Sequence, residues 1–133
     1  MKLLLDTHAL VWWLNDNPKL SAVARAAIAD PGNDVFVSAA SAWEIATKVR
    51  RGRMPEAVQL VADFHDLLQQ EAFEPLDVTT HHGLLAGGLP GDHSDPFDRM
   101  IAAQAISEVM RVVSIDPASL PSAQSRSGRL TAR

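Results

Sequence analysis

Five carboxylates in this sequence stand where they could do chemistry: Asp6, Glu44, Asp95, Asp98 and Asp116. Each lies just after a strand-like apolar run or near the start of a helix-like stretch. Each also has a plainer role. Asp6 fits a helix N-cap, and Ser41-Ala42-Trp43-Glu44 fits a capping box. Asp95-Pro96 reads as a cap followed by proline, with Asp98 at a position the helix dipole favours, and Asp116-Pro117 reads as a turn. Taken together the acids offer more. Ionised carboxylates gathered without countercharge raise one another's pKa values, and a hard divalent cation removes the repulsion. Oxygen ligands, with no cysteine in the chain and no required histidine, select Mg²⁺ (or Mn²⁺) over Zn²⁺.

The elements that must carry these acids alternate. Lys2–Leu5 is a short continuous apolar run, the mark of a strand buried on both faces. Helices are expected over Thr7–Leu14, over Ala22–Ala29 capped by Ser21, over Ala42–Arg51 and over Pro55–Gln70. Val35–Val37 reads as a second strand and Glu74–Val78 as an edge strand. A short helix Thr80–Ala86 follows, then a Gly/Pro loop, a long helix Pro96–Val109 and a strand Arg111–Ile115. This alternation implies an α/β fold built of βαβ units around a mostly parallel sheet. In such a sheet the carboxyl ends of the strands share one edge, where ligands bind. Asp6 and Asp116 end strands, and Glu44 and Asp98 sit one turn into helices starting at that edge. All four can meet there.

Three blocks carry a family resemblance: Leu5-Asp6-Thr7-His8, Ser38–Ile45 and His93–Ala105, the last containing Asp95-Pro96-Phe97-Asp98-Arg99. They resemble the motif blocks of PIN-domain proteins, in their order, and are most similar to the VapC toxin branch. Val112–Asp116 is similar to that family's last acidic motif. The blocks span residues 3 to 116. The resemblance implies a three-layer α/β/α domain over residues 1–121, with a sheet of four to five strands and a flexible polar tail over 122–133. It also implies a Mg²⁺-dependent endoribonuclease that hydrolyses RNA phosphodiesters with metal-activated water, leaving a 3′-hydroxyl and a 5′-phosphate. Asp6, Glu44, Asp98 and Asp116 map onto the family's metal-binding acids. Asp95 is a feature of the branch, read as a cap in a supporting role with Ser41 and Arg99. A homodimer and a small VapB-like antitoxin are the implied partners. Pro117–Pro121 departs from the pattern by lacking the aromatic residues often found there.

Bulk properties narrow the classes. The chain has 133 residues, 47% apolar and 21% charged, enough for one packed domain and inconsistent with disorder. Without cysteine there is neither a disulfide scaffold nor a thiolate metal site. The N-terminal apolar run is too short for a signal peptide and no window reaches the ~18 residues of a membrane span, so a cytoplasmic, membrane-free protein is expected. A net charge of −4 argues against a protein that coats nucleic acid. It does not argue against an enzyme meeting RNA at one site. Lys48, Arg50, Arg51 and Arg53 form the best RNA track, with Lys48, Arg51 and His8 the candidate substrate contacts. Arg99 reads equally as a phosphate contact or as a partner for a neighbouring acid. His81-His82 reads as surface, and at least one of Trp12 and Trp13 as core. Two alternatives stand beside the nuclease. A non-catalytic PIN-like module that binds RNA or protein would be marked by a missing acid, and none is missing. A phosphotransferase using Asp6 as nucleophile wants a second aspartate two residues on, where His8 stands.

Overall fold

β1 (Lys2–Leu5) runs through the middle of the molecule, with Leu3, Leu4 and Leu5 all fully buried. Successive strand side chains point to opposite faces. Leu3 and Leu5 accordingly enter one hydrophobic cluster and Leu4 another. The computed structural model describes residues 1–91 and 95–115, together with the backbone of 129–131.

Local chemistry sets the element boundaries. Asp6 caps α1 (Thr7–Leu14), its Oδ1 accepting the Ala9 N–H at 2.7 Å, and Ser21 caps α2 (Ala22–Ala29) through Ala24. β2 (Asp34–Ser38) passes directly into α3 (Ala39–Arg50). The cap of α3 is Ser38, whose Oγ accepts from the Ala40 N–H at 3.0 Å. The capping-box reading of Ser41 and Glu44 is thereby overturned, because the helix begins one turn earlier. The single helix expected over Pro55–Gln70 is instead a 3₁₀ turn (Pro55–Ala57), α4 (Val58–Ala62) and α5 (Phe64–Gln70). It breaks at Asp63, where φ −117° and ψ 29° leave helical geometry. β3 (Glu74–Leu76), α6 (Thr80–Gly88), α7 (Pro96–Glu108) and β4 (Arg111–Ser114) follow. Val109 closes α7 in the left-handed region at φ 55°.

The sheet has five strands in the order β3-β2-β1-β4-β5, with β5 formed by Arg129–Thr131, and every neighbouring pair is parallel. Those three residues fall in the segment expected to be a flexible tail. A parallel pairing uses backbone donors and acceptors, which a polar segment has in full. The rest of that segment lies outside the described residues. One face of the sheet is covered by α1, α2, α4, α5 and the inner side of α3, through Leu10, Ile28, Ile45, Leu60 and Leu68. The other face is covered by α7, through Ile101, Ala102 and Ala105, with α6 packed beside it. This is the three-layer α/β/α arrangement. Among the described residues no helix is long and apolar enough to cross a membrane.

The strand order turns around at β1. The chain moves from β1 outward to β2 and β3, then returns to β4 on the opposite side. The carboxyl ends of β1 and β4 therefore flank a topological switch point, the place where open α/β sheets form a crevice.

Candidate functional site

Asp6 follows the last residue of β1 and is 8% exposed. Its N–H donates to Val113 O at 2.9 Å, and its Oδ2 accepts the Ile115 N–H at 3.3 Å, so it is fastened to both central strands. Burial pushes its carboxyl above the ordinary aspartate value. Hydrogen bonds from Ala9, Ser114 and Ile115, and the nearby His8, pull the other way.

Glu44 lies in the second turn of α3 and is 5% exposed. Two side chains hold it. The Thr7 hydroxyl donates to Oε1, and the Lys48 ammonium lies 2.8 Å from Oε2. Thr7 Oγ1 is also 3.2 Å from the buried Ser41 hydroxyl. With one proton to give, Thr7 gives it to the carboxylate, the stronger acceptor. Ser41 thus reaches Glu44 through Thr7.

Asp95 is the N-cap of α7: its Oδ1 accepts from Phe97 N at 2.9 Å and Asp98 N at 3.2 Å. The cap reading was correct. It orients the first turn of α7, on which Asp98 lies half-buried where the helix dipole favours an anion. Arg99 binds backbone. Its Nε donates to Ala86 O at 3.1 Å and its guanidinium to Leu89 O at 2.6 Å, gathering carbonyls at the C-terminal end of α6.

These pieces close on one cleft of about 300 Å³, lined by Asp6, Thr7, His8, Glu44, Lys48, Asp95, Asp98 and Ile115. Four distant parts of the chain meet there. Asp116 lies outside the described residues. Among the described residues no three His, Cys, Asp or Glu side chains form a group arranged to hold a metal ion. The acids share a cleft in which Lys48 supplies one countercharge. The donor set still fits a hard divalent cation: it is all oxygen, and the Asp6 carboxylate is one that burial penalises when charged. A larger groove of about 540 Å³, lined by Val37, Ala42, Ala46, Val61, Phe64 and Leu68 among others, carries none of these acids.

Other expectations land elsewhere. Arg50, Arg51 and Arg53 are exposed beyond the cleft, while Lys48 lies inside it. His82 is not a surface residue. It is 2% exposed, accepts the Thr79 N–H on Nδ1 at 3.1 Å and meets Glu108 Oε2 through Nε2 at 3.0 Å. The residue spacing Thr79-x-x-His82 was the available signal, a capping box with histidine in place of glutamate. Trp12 and Trp13 both pack partly buried against the core, and Trp43 is the exposed one, at 68%. Thr7 was missed as a site residue, although it stands inside the first motif block.

The family model described as PIN domain matches residues 3–119. Ribonuclease VapC22 of Mycobacterium tuberculosis (strain ATCC 25618 / H37Rv) is 31% identical over 114 residues, covering 85% of each chain. The fold is similar to that in VapBC2 from Rickettsia felis bound to a DNA fragment from their promoter (TM-score 0.67, 17% identity, all of both chains covered). It is equally similar to FitAB bound to the IR36 DNA fragment (TM-score 0.67, 20% identity, 97% and 94% covered). At these identities the structural likeness is one of fold.

Proposed function

The chain belongs to the PIN domain family, in its VapC ribonuclease branch, and on that premise we propose that it is a Mg²⁺-dependent endoribonuclease, the toxin of a toxin–antitoxin pair. The observation that carries the proposal is the shared cleft of Asp6, Glu44 and Asp98 at the switch point of the sheet. Asp6, Glu44 and Asp98 are the residues that would hold the cation, with Asp116 the fourth assigned by resemblance. Mn²⁺ is expected to substitute. A bound divalent cation supplies the positive charge that favours water as a nucleophile and stabilises a phosphodiester under attack.

The chain's own residues do the positioning. Asp6 is held rigid by the N–H groups of Ala9 in α1 and of Ile115 just past the end of β4. Thr7 fixes the carboxylate plane of Glu44. The Asp95 cap sets the first turn of α7 and so presents Asp98. Glu44 and Lys48 lie one turn apart on one face of α3, and Arg51, the C-cap of that helix, is exposed beyond the cleft at its end. That face, with His8 at the cleft wall, is the path for the RNA backbone.

Two of the fold neighbours are a VapBC2 assembly and a FitAB assembly, each bound to DNA, which supports a VapB-like antitoxin as partner. An antitoxin arginine or lysine entering the cleft would complement its carboxylates. A homodimer in the cytoplasm completes the reading.

The test is cleavage of RNA by the purified chain with Mg²⁺, with chelator, and by Asp6→Asn. Cleavage by wild type alone, lost on chelation and leaving 3′-hydroxyl and 5′-phosphate ends, is the expected result. Equal cleavage by Asp6→Asn contradicts the proposal and returns the non-catalytic binding module. A 2′,3′-cyclic phosphate product contradicts hydrolysis by water.

A further inference from the structure

We propose that Lys48 is a built-in counterion of the cleft: it holds Glu44 until a divalent cation takes its place, and its released ammonium then turns to the RNA phosphate. The inference rests on the nuclease reading above and assigns a role within that site.

A Glu–Lys pair four residues apart on a helix ordinarily lies on the surface and only steadies the helix, by a few tenths of a kcal/mol. This pair is placed differently. The Glu44 side chain is 7% exposed and the Lys48 side chain 33%, and both line the cleft with Asp6 and Asp98. Both Glu44 oxygens are engaged, Oε1 by Thr7 and Oε2 by Lys48. A cation binding to Glu44 must share or take one of them. Thr7 is a short, buried side chain beside Asp6 and cannot withdraw. Lys48 sits on a flexible four-carbon stem with a third of its surface in solvent, so its head can leave without disturbing α3. Like charges also repel, so a dication at Glu44 Oε2 disfavours the ammonium there. The groups facing the displaced ammonium are then the remaining cleft wall and any anion brought to it. In this enzyme that anion is the phosphodiester.

The arrangement predicts opposite signs for two measurements on one variant. Metal affinity is read by titrating the full, metal-free chain with Mn²⁺ and counting free ion by electron spin resonance. Lys48→Met is expected to bind Mn²⁺ about fivefold tighter, the size of a partly exposed ion pair released from competition. The same variant is expected to cleave RNA more slowly, through a higher KM. Lys48→Arg, which keeps the charge, should stay within about twofold of wild type in Mn²⁺ affinity. In a Glu44→Gln background the gain from Lys48→Met should vanish. Lys48→Gln serves as a second neutral variant if the methionine impairs folding. Unchanged or weaker Mn²⁺ binding by the neutral variants, with wild type binding normally, overturns the counterion role alone. A gain that persists in the Glu44→Gln background overturns it too, because the effect would then be general to the local charge. Absence of Mn²⁺ binding by wild type overturns both this inference and the metal-dependent reading beneath it.

Discussion

Replacing Thr7 with valine isolates the bond that fixes Glu44. Valine keeps the branched shape and a nearly equal helix propensity, so α1 loses a hydroxyl and little else. Thr7 is 4% exposed and Glu44 5%, so the carboxylate loses a donor that water cannot readily replace. A hydrogen bond to a charged group is worth about 1.5–3 kcal/mol. For a domain of this size that is a fall in Tm of about 5–12 °C. Losing the group that orients an active-site carboxylate should also lower RNA cleavage about 10- to 100-fold. Thr7→Ser keeps the hydroxyl and should retain most of both. The assays are thermal unfolding of the metal-free protein and cleavage rate at saturating Mg²⁺. A thermodynamic cycle with Glu44→Gln completes the case: Thr7→Val should cost at least ~0.5 kcal/mol less in that background. A valine variant with wild-type Tm and wild-type rate refutes the reasoning. So does a cost unchanged by the loss of the Glu44 charge.

Two further outcomes follow from the capping groups. Asp95→Ala should lower stability by about 1 kcal/mol in chemical denaturation through loss of the α7 cap, whereas Asp95→Asn, an equally good cap, should keep both stability and cleavage; a dead but stable Asp95→Asn would make the charge itself essential. Glu108 is held below its ordinary carboxylate value, first by the hydrogen bond from His82. A depressed carboxylate stabilises the fold above its unfolded pKa, and the gain is lost as pH falls through the folded value. The Tm difference between wild type and Glu108→Gln should therefore favour wild type near neutrality and shrink on acidification, and a difference that grows toward acid pH contradicts the assignment.

Much of this was legible before any coordinates, for identifiable reasons. The unbroken leucines of β1 announced a strand covered on both faces, and Asp6, Ser21 and Asp95 announced helix starts, because caps and burial are local chemistry. The α3 start was misplaced because Ser38 and Ser41 offer equally good caps three residues apart. Only the length of β2 decides between them. That error hid the inward placement of Glu44, whose partners Thr7 and Lys48 come from two helices. Lys48 belonged by composition to an exposed basic stretch, and its neighbours Arg50, Arg51 and Arg53 are indeed exposed. Its difference is one of position: it stands one turn beyond Glu44 on α3, whereas Arg51 and Arg53 come after the helix has ended. His82 was missed for a similar reason: beside the exposed His81 it looks polar, but its burial depends on Thr79 and Glu108, the latter 26 residues away. The shared cleft of Asp6, Glu44 and Asp98 was legible from topology, since parallel strands put their carboxyl ends on one edge and the helices α3 and α7 start there.

The central claim is that Asp6 after β1, Glu44 in the second turn of α3 and Asp98 in the first turn of α7 together grip a divalent ion. Crystals of the protein soaked in Mn²⁺ and measured at the manganese absorption edge would test it most directly. The account predicts an anomalous peak in the cleft within bonding distance of Asp6 and at least one of Glu44 and Asp98, lost in Asp6→Asn. A peak elsewhere on the molecule, or one that survives in Asp6→Asn, contradicts it.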